Sequence, residues 1–498
     1  MRLKQWLDRT TGRFTMYQTV FVLLVAISVL ALLLSLLGLI GPTPLQLLAS
    51  YIVAVPVTVA SSLGFARLFR VKPHLMSAAI TGILVFIVLA PTDQPLGLLG
   101  IAVAAIIASA SKYLLAIRGR HVFNPAAIGG LIVTTAGLGF SGWWVATIWM
   151  LPLVALGALL VLYRTRRLTM GLVFVATVLI VDVARTGSLA NGASLALLAT
   201  ATVFLAGFML SEPLTMPPKR WQQLGLAVLV GLLFAIPFNL FGLLYSSPQL
   251  ALVIGNLVAF FFGQRRGIAL TLVSKEQLTP TTWEFTFRPA RPVSFTPGQY
   301  MELTVPHAKA DRKGTRRMFS ISSAPGDTVT FALKITAEVS SFKAALLALT
   351  PGSVVRGSLV AGDFALPRSL DVPVLLVAGG IGITPFASQL AHHVGSSQQR
   401  DLVVVYAVSD PSELAYSALL EQSGARVVVT APTAPERLPA GWTYGGTRVT
   451  REVILAEVPD AASRRAYVSG PPSLVNSMRA VLRSLGVRRV TSDYFLGY

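Results

Sequence analysis

Cysteine is absent from this chain of 498 residues, and histidine occurs only five times. Without cysteine the chain can form no disulfides, no thiolate zinc sites and no cysteine-ligated iron–sulfur clusters. Only two histidines, His74 and His121, lie in the N-terminal half, whereas a pair of membrane haems needs four axial ligands. Such a haem pair is therefore excluded and we predict no metal site, so any electron carrier in this chain would have to be organic.

Charged residues are also scarce, at 12% of the chain against about 25% in soluble domains. The shortage is confined to the first half. Residues 1–267 hold 18 Lys and Arg and 4 Asp and Glu, whereas the remaining residues hold 23 and 17. The net charge of +20 therefore lies mostly beside apolar segments, and we predict from this distribution that the protein does not bind nucleic acid.

Long apolar runs dominate the first half. About ten of them approach the roughly 20 residues that cross a bilayer as a helix, at residues 17–40, 45–63, 74–91, 97–116, 124–140, 143–163, 168–184, 194–211, 223–240 and 246–263. Alternate connections are rich in Lys and Arg, which places the N- and C-termini in the cytoplasm by the positive-inside rule. The sequence predicts a polytopic α-helical domain at 1–266 in the lipid bilayer of the cell membrane, whose first run is a retained anchor.

Two of these runs share a pattern. Residues 77–95 and 194–213 belong to the third and eighth segments, an odd offset that makes the two copies cross the bilayer in opposite directions. The pattern predicts inverted repeats, or else two unrelated apolar helices that are rich in small residues. A further stretch, 124–130, contains Gly and Pro and predicts a broken helix, unless Asn124 and Pro125 simply start a helix.

Two carboxylates, Asp182 and Glu212, lie near the ends of apolar segments. Ionisable groups inside membranes are energetically costly and often functional. Because both residues are close to segment ends, a solvated position at the membrane edge is the simpler interpretation.

Three stretches of the first half, 77–82 (SAAITG), 121–127 (HVFNPAA) and 208–215 (FMLSEPLT), resemble one membrane family. That family contains flavin-carrying membrane subunits of the Na⁺-translocating NADH:quinone reductase and of the Rnf complex. The resemblance covers most of residues 15–265. It implies ten helices in two inverted halves, and flavin within the membrane domain.

Members of that family carry FMN esterified through its phosphate to the Thr of a Ser-Gly-Ala-Thr motif. The matching stretch here is 191–194 (NGAS), with Ser194 in place of Thr. A helix start offers free N–H groups to a phosphate, and Gly192 would permit close approach. Because Ser194 replaces Thr and Ser188 stands where an acidic residue is favoured, three alternatives stay open. They are covalent FMN at Ser194, non-covalent FMN or riboflavin bound near Ser194, Gly192 and Asn124, and a plain helix cap.

The second half has an ordinary soluble composition and two kinds of pattern. Residues 268–362 contain short strands at regular spacing, which predicts an antiparallel barrel. Residues 372–495 alternate strand and helix, which predicts a doubly wound parallel sheet. We therefore predict a multi-domain chain, with a membrane domain at 1–266, a barrel at 267–366 and an α/β domain at 367–498.

Five motifs in order resemble the ferredoxin–NADP reductase superfamily. They are 297–300 (PGQY), 317–323 (RMFSISS), 340–343 (SSFK), 377–385 (VAGGIGITP) and 469–472 (SGPP). The resemblance covers about 230 residues and implies that the barrel binds FAD and that the α/β domain binds NAD(P)H.

The resemblance assigns roles to the barrel motifs. It implies that Arg317 pairs with the FAD pyrophosphate through charge-assisted bonds, that Phe319 packs on the flavin, and that Ser320 bonds near flavin N5. Ser323 completes this motif. Alternation along a strand would place Arg317 and Phe319 on one face. The second phosphate would bind at the helix start formed by Ser340 and Ser341, although an ordinary capped helix would explain this motif equally well.

Roles also follow for the α/β motifs. Gly379, Gly380, Gly382 and Thr384 form a strand–helix turn that would hold the dinucleotide pyrophosphate. Ser469, Gly470 and Pro471 match the Cys-Gly-Pro-Pro loop beside the nicotinamide, with serine for cysteine. Near the end of the chain, Tyr498 or Phe495 would cover the isoalloxazine, or else these residues form a frayed tail. Asp410, after a predicted strand, favours NADH over NADPH because a carboxylate accepts a ribose 2′-OH and repels a 2′-phosphate.

Together these features predict a membrane-bound NAD(P)H dehydrogenase. Hydride would pass from NADH to FAD, with Ser320, Ser469 and Tyr498 as catalytic candidates. Electrons would then reach FMN or riboflavin in the membrane domain and finally a quinone or an extracytoplasmic acceptor. The alternative is an ion or solute transporter with a redox-sensing flavodomain. Whether the chain forms a homo-oligomer is left open by the sequence.

Overall fold

The computed structural model describes residues 15–495, apart from residues 72, 118–119, 241, 243, 263–266, 308–310, 312–313, 337–338 and 397–398. The chain divides into two compact units, Met1–Arg265 and Arg266–Tyr498. We call them the helical unit and the sheet unit and describe each by itself.

The helical unit consists of apolar helices joined by short turns. Its helices are α1 (Met16–Leu36), α2 (Pro44–Leu68), α3 (Leu75–Val88), α4 (Pro95–Leu114), α5 (Pro125–Thr135), α6 (Leu151–Arg164), α7 (Leu168–Thr186), α8 (Leu189–Ser194), α9 (Thr202–Phe204), α10 (Arg220–Ala235) and α11 (Pro248–Phe261). Helix α8 continues as a π turn at Leu195–Ala199, and α9 continues as another at Leu205–Met209. Two short hairpins complete the unit, β1 (Ala116–Ile117) with β2 (Arg120–His121) and β3 (Asn239–Leu240) with β4 (Leu244–Tyr245).

Among the described residues, four helices, α1, α2, α4 and α7, are long and apolar enough to cross a membrane. A fifth span arises if Leu189–Ala199 and Thr202–Met209, which meet at 59°, count as one. The prediction of about ten spanning helices is therefore not supported. Each predicted apolar run contains helix, but α3, α5, α6 and α11 have only 11 to 14 residues. At 1.5 Å per residue, 14 residues reach about 21 Å, short of the ~30 Å apolar core of a bilayer.

The predicted helix break near Asn124 is wrong. Asn124 is the N-cap of α5, its side chain accepts a hydrogen bond from the Ala127 amide over 3.1 Å, and α5 then runs unbroken. The alternative, a helix start at Asn124 and Pro125, is confirmed. The break lies instead between α8 and α9, where Thr200 is extended and its hydroxyl lies 2.8 Å from that of Thr202.

The sheet unit begins with a six-stranded antiparallel sheet, which we call the barrel; its antiparallel pairing is as predicted. Its elements are β5 (Ile268–Gln277), β6 (Thr282–Pro289), β7 (Tyr300–Thr304), β8 (Arg316–Ser320), β9 (Val329–Lys334), α12 (Ser341–Leu347) and β10 (Val354–Ala361). The strands lie in the order β8-β7-β10-β5-β6-β9. Alternate residues of β5, such as Ile268, Leu270 and Leu272, are buried in the core, which is the period of two that the sequence displays.

A parallel sheet follows, again as predicted. Its elements are β11 (Val374–Gly379), α13 (Thr384–Gly395), β12 (Leu402–Ala407), α14 (Ser417–Gln422), β13 (Arg426–Thr430), β14 (Thr443–Tyr444), α15 (Arg451–Glu457), β15 (Arg465–Gly470), α16 (Pro472–Ser484) and β16 (Val490–Tyr494). The order is β14-β13-β12-β11-β15-β16. From β11 the chain adds β12, β13 and β14 on one side of the sheet. It then crosses to the other side of β11, where it adds β15 and β16. The crevice at the carboxyl ends of β11 and β15 is therefore the topological switch point, where such sheets bind ligands.

Candidate functional site

Two glycine turns meet at the switch point. Ala378 pairs with Ser469 at the ends of β11 and β15, and each strand then turns through glycine. A Cβ atom added to Gly382 would lie 2.5 Å from the Ser469 carbonyl oxygen, and one added to Gly470 would lie 3.0 Å from the Gly379 carbonyl oxygen. Gly470 also has φ +148°, a conformation that L side chains rarely adopt. The turns approach this closely because these positions carry no side chain.

The turn after β11 leads directly into a helix. Gly380 has φ +52°, and no heavy atom lies within 4 Å of a Cβ built there. A 3₁₀ turn at Gly380–Ile383 continues into α13, where the Thr384 hydroxyl donates to the Ile381 carbonyl over 3.0 Å. An open glycine turn that leads into a helix start offers backbone N–H groups to an anion. Gly379, Gly380, Gly382 and Thr384 thus lie together and fit the pyrophosphate of a dinucleotide.

The turn after β15 brings the end of the chain into the same crevice. Ser469 is fully buried, and its hydroxyl has no hydrogen-bond partner among the described residues. Pro471 is the N-cap of α16. The Phe495 amide donates to the Gly470 carbonyl over 2.9 Å, so Phe495 lies beside this turn. Tyr498, the other predicted aromatic, lies outside the described residues.

In the barrel, Arg317 and Phe319 share one face of β8, as predicted. The ring of Phe342 contacts both: its centroid lies 5.7 Å from the Phe319 centroid and 5.3 Å from Arg317 Cζ. Arg317 is 5% exposed. Its guanidinium donates to the Asp311 carboxylate at 2.9 and 3.1 Å and to the Gly314 carbonyl at 2.9 Å. A buried, fixed guanidinium of this kind has the chemistry to bind a phosphate group.

The predicted helix start lies in the same cluster. Ser340 is the N-cap of α12 and accepts from the Lys343 amide. The hydroxyl of Ser341 accepts from the Asp311 amide over 2.9 Å and lies 3.0 Å from Nε2 of His307. Asp311 therefore contacts both Arg317 and Ser341. Sequence reasoning missed Asp311 and His307, because neither belongs to a motif.

The serine motif after Arg317 connects the barrel to the parallel sheet. Ser320 is buried and pairs with Tyr300 across β7 and β8. The Ser323 hydroxyl accepts from the Thr330 amide over 3.2 Å. Its carbonyl accepts from the hydroxyl of Ser388, on α13, over 2.6 Å. A direct hydrogen bond within the sheet unit thus joins the predicted flavin motif to α13, the helix that follows the glycine turn.

Asp410 follows β12 at the carboxyl edge of the sheet and is exposed. Its Oδ1 accepts from the Ser412 hydroxyl over 2.7 Å and from the Ser412 amide over 2.9 Å. These hydrogen bonds hold the pKa of the Asp410 carboxyl below its usual range. The side chain is therefore anionic at neutral pH and could accept hydrogen bonds from a ribose.

The predicted phosphate site in the helical unit needs correction. Ser188 caps α8, and the helix begins at Leu189. Ser194 therefore lies inside the helix and is exposed, so its predicted place at a helix start is wrong. A Cβ on Gly192 would lie 2.5 Å from Val183 Cα, so Gly192 serves close packing on α7 rather than approach of a phosphate. The helix-cap alternative for Ser194 is excluded as well, because Ser188 takes that position.

Asn124, the third candidate in the helical unit, belongs to a polar cluster of its own. Its side-chain amide donates to Glu212 Oε2 over 2.9 Å, and its backbone amide donates to Asn256 Oδ1 over 2.7 Å. His121 Nε2 lies 2.7 Å from Glu212 Oε1. The Asn124 amide oxygen is already used by the α5 cap.

Neither membrane-edge carboxylate is simply solvated. Glu212 is 21% exposed and bonded to His121, whereas Asp182 is 3% exposed and lies 3.2 Å from Arg185 NH1. The interpretation as a solvated edge residue is wrong for Asp182, which is buried beside Arg185. Glu212 keeps part of its exposure and in addition has a specific partner.

Comparison with known proteins bears on the sheet unit. Residues 376–480 match the family described as oxidoreductase NAD-binding domain. Over 214 residues the chain is 27% identical to the flavohemoprotein of Bacillus thuringiensis subsp. konkukian, covering 40% of this chain and 52% of that protein. Over 221 residues it is 26% identical to the NADH oxidoreductase HCR of Escherichia coli, covering 44% of this chain and 65% of that protein.

A solved structure also matches. It is the flavohem-like FAD/NAD-binding domain of nitric oxide dioxygenase from Vibrio cholerae, with 21% sequence identity and a TM-score of 0.39, and it covers 46% of this chain and 98% of that one. The chain spans about half the length of several of the curated relatives it matches.

These matches concern the C-terminal part alone. Residues 376–480 match an oxidoreductase NAD-binding domain, and the relatives that this part is similar to include a flavohemoprotein, an NADPH oxidoreductase and an NADH oxidoreductase. The resemblance of the helical unit to a membrane family stays a prediction.

Proposed function

We propose that the chain is a membrane-bound NAD(P)H dehydrogenase. Its domains are a membrane domain at 1–266, an FAD-binding barrel at 267–366 and an NAD(P)H-binding domain at 367–498. The observation that carries the proposal is the direct hydrogen bond from Ser388, on the helix that follows the glycine turn, to the Ser323 carbonyl of the predicted flavin motif. It supports two cofactors bound close enough to react.

FAD, when bound, supplies the ability to accept a hydride from NADH and to release electrons singly. In the proposal Arg317 binds its pyrophosphate, with Ser340 and Ser341 beside the second phosphate. Phe319 packs on the ring, and Ser320 donates a hydrogen bond near its reactive edge. The contact of Arg317 and Phe319 with one aromatic ring, Phe342, supports this arrangement because it fixes both side chains on one face.

NADH occupies the switch-point crevice in the proposal. Gly379, Gly380, Gly382 and Thr384 hold its pyrophosphate at the helix start. Ser469, Gly470 and Pro471 lie beside the nicotinamide, and Phe495 or Tyr498 shields the flavin until the nicotinamide arrives. Asp410 accepts the ribose hydroxyls, which favours NADH over NADPH.

The helical unit receives the electrons in the proposal. Its apolar helices are compatible with insertion in the cell membrane. FMN or riboflavin in this unit would pass electrons to a quinone or to an extracytoplasmic acceptor. The exposed hydroxyl of Ser194 supports attachment of a flavin phosphate there. The internal partners of Asn124 argue against a direct role for that residue in holding the flavin.

The flavin content of the purified full-length chain tests the proposal. We expect FAD and a second flavin in equal amounts, without a Soret band. We also expect sealed vesicles that expose the sheet unit to oxidise added NADH and to reduce an acceptor supplied in the membrane or on the far side. A chain that contains FAD alone and reduces only soluble acceptors would contradict the membrane route.

A second candidate function is a transporter whose sheet unit senses redox state. The helix pair bent by 59° between α8 and α9 favours it, because discontinuous helices are typical of secondary transporters. Solute uptake by a chain with a single flavin, with no electron transfer through the bilayer, would support this alternative.

A further inference from the structure

A loop of the parallel sheet reaches over to the barrel. Residues 410–416, here called the clasp loop, connect β12 to α14. Glu413 Oε2 accepts hydrogen bonds from the hydroxyls of Thr279 and Thr281, over 2.8 and 2.7 Å. Both threonines lie in the turn between β5 and β6, on the barrel. Glu413 is only 8% exposed, so one end of the clasp loop is anchored in a buried polar contact.

The other end of the clasp loop reaches the flavin motif. The phenol of Tyr416 donates to Glu284 Oε1, on β6, over 2.7 Å. The same oxygen accepts from the Ser322 hydroxyl over 3.1 Å. Ser322 comes two residues after Ser320 and one before Ser323. A continuous path of hydrogen bonds therefore joins the nucleotide-binding half to the segment proposed to line the flavin.

The backbone at Tyr416 is held in an unfavourable conformation. Its φ is +63°, in the left-handed region, which non-glycine residues seldom adopt because of the clash of Cβ with the backbone. Such conformations persist where the surrounding contacts enforce them, and they cluster at functional positions. Here the phenol bond to Glu284 and the anchored Glu413 hold the loop on both sides.

The Tyr416 phenol remains a hydrogen-bond donor at neutral pH. Burial and the nearby Glu284 carboxylate raise its pKa well above the usual value of a tyrosine. Two other contacts between the halves, Tyr467 to the Ala365 carbonyl and Gln389 to the Phe364 carbonyl, reach only the segment at 362–373 that connects them, whereas Ser388 reaches the Ser323 carbonyl directly. The Tyr416 bond reaches a strand that is itself bonded to the serine motif.

We propose that the Tyr416–Glu284 hydrogen bond positions the nicotinamide-binding half against the flavin motif, which makes both residues positioning residues for hydride transfer. This inference rests on the proposed function. Hydride transfer requires the donor and acceptor atoms about 3–3.5 Å apart, and small misplacements slow it strongly. Neither side chain needs to touch a cofactor for this effect.

The test compares Tyr416→Phe with Tyr444→Phe in the full-length chain. Tyr444 also lies in the nucleotide-binding half, but its phenol donates to the Ala431 carbonyl of the same half over 2.9 Å. We expect Tyr416→Phe to lower kcat for NADH oxidation at least about fivefold, with FAD content and KM for NADH unchanged. Tyr444→Phe should leave all three unchanged.

Two variants of Glu284 sharpen the test. Glu284→Gln keeps an oxygen that can accept from Tyr416 and should retain most of the rate, whereas Glu284→Ala should match Tyr416→Phe. The combination of Glu284→Ala with Tyr416→Phe should be no slower than either single variant, because both remove the same bond. Additive losses would overturn the pairing. If Glu284→Ala does not fold, Tyr416→Phe and Glu284→Gln still decide the matter.

A second measurement does not depend on turnover. Hydrogen exchange should become faster in Tyr416→Phe at the amides of the clasp loop and of residues 320–323, and not in Tyr444→Phe. Wild-type kcat and exchange in Tyr416→Phe would overturn the inference. A wild-type chain that binds no FAD and oxidises no NADH would instead overturn the proposed function. Hydrogen exchange in the clasp loop would still test whether the Tyr416–Glu284 bond holds the two halves together.

Discussion

Gly382 and Ser469 lie so close that a methyl group on Gly382 would be 2.5 Å from the Ser469 carbonyl oxygen. A contact this short does not occur in folded proteins, so one of the two turns would have to move. The turns end β11 and β15, which flank the switch point. Their separation therefore sets the width of the crevice in which we propose that NADH binds.

Replacement of Gly382 by Ala should widen this crevice. We expect the KM for NADH to rise at least about tenfold, and the free energy of unfolding to fall by about 1–3 kcal/mol, which is typical of overpacking. Steady-state kinetics and thermal unfolding measure the two effects. The matched control is Gly395→Ala at the end of α13, where nothing lies within 4 Å of an added Cβ. If Gly382→Ala and Gly395→Ala have the same KM for NADH and the same stability, the close approach of Gly382 to Ser469 does not set the width of the crevice.

Arg317 should be required for FAD retention rather than for folding. Its guanidinium is buried and fixed by Asp311, which is the preorganised geometry that binds a phosphate. We expect Arg317→Ala to weaken FAD binding at least about tenfold, and Arg317→Lys to restore little because lysine lacks the planar fork. Released flavin can be followed by fluorescence on dilution. Arg316→Ala, an exposed neighbour on β8, is the control, and full FAD retention in Arg317→Ala would exclude the assigned role.

The charge of Asp410 should decide between NADH and NADPH. Asp410→Asn keeps a side-chain oxygen for Ser412 but removes the negative charge that repels a 2′-phosphate. We expect the ratio of kcat/KM for NADH over NADPH to fall at least about fivefold, since the 2′-phosphate then no longer meets a negative charge. Glu421→Gln, which removes an equal charge on α14, should leave the ratio unchanged.

The pH dependence of this preference follows from the lowered pKa of Asp410. A carboxyl whose pKa lies below the ordinary value of about 3.9 stays ionised at every higher pH. The charge of Asp410 should therefore be constant at every pH above about 4, whereas the 2′-phosphate of NADPH loses its second proton near pH 6. The effect of Asp410→Asn on the preference should accordingly be the same at about pH 7 and pH 8, and an effect that differs between them would assign the preference to another group.

The sheet unit could be predicted from sequence because each of its patterns has one structural solution. Period-two burial in β5 defines a barrel strand, and the apolar run of β11 that leads into Gly379 and Gly380 defines a strand–helix turn. The polar strand β16 has neither pattern and was missed. The contact of Glu413 with Thr279 was beyond prediction, since 134 residues separate them and no local pattern marks either residue.

The helical unit could be predicted only in part. Apolar composition marks the segments but does not show where a helix ends inside an apolar run. Between α5 and α6 the turns at 136–150 are apolar enough to have been counted as membrane helix. At α8 the sequence predicts a helix start at Ser194, whereas Ser188, six residues earlier, is the cap because its hydroxyl accepts from the Asn191 amide.

Attachment of a flavin at Ser194 gives a direct prediction. A covalently bound flavin survives denaturation, so a denaturing gel of the wild-type chain should show a fluorescent band. Ser194→Ala should abolish the band, whereas Asn191→Ala, an exposed neighbour on the same helix, should retain it. Fluorescence that persists in Ser194→Ala would place the attachment elsewhere. A wild-type chain without the band but with two extractable flavins would indicate non-covalent binding.

The cluster around Glu212 should stabilise the helical unit. Its carboxylate binds His121 and the side chain of Asn124, and Asn124 caps α5. Glu212→Ala would leave two polar side chains without their acceptor in a poorly hydrated place, which costs about 1–3 kcal/mol for each unsatisfied group. Glu212→Gln keeps the shape and can still bond to both partners, so it should cost less. Thermal unfolding of the full-length chain in detergent measures the difference. If Glu212→Ala, Glu212→Gln and the wild type all unfold at the same temperature, the cluster does not stabilise the fold. A role in ion or proton transfer then becomes the better explanation for these groups lying together.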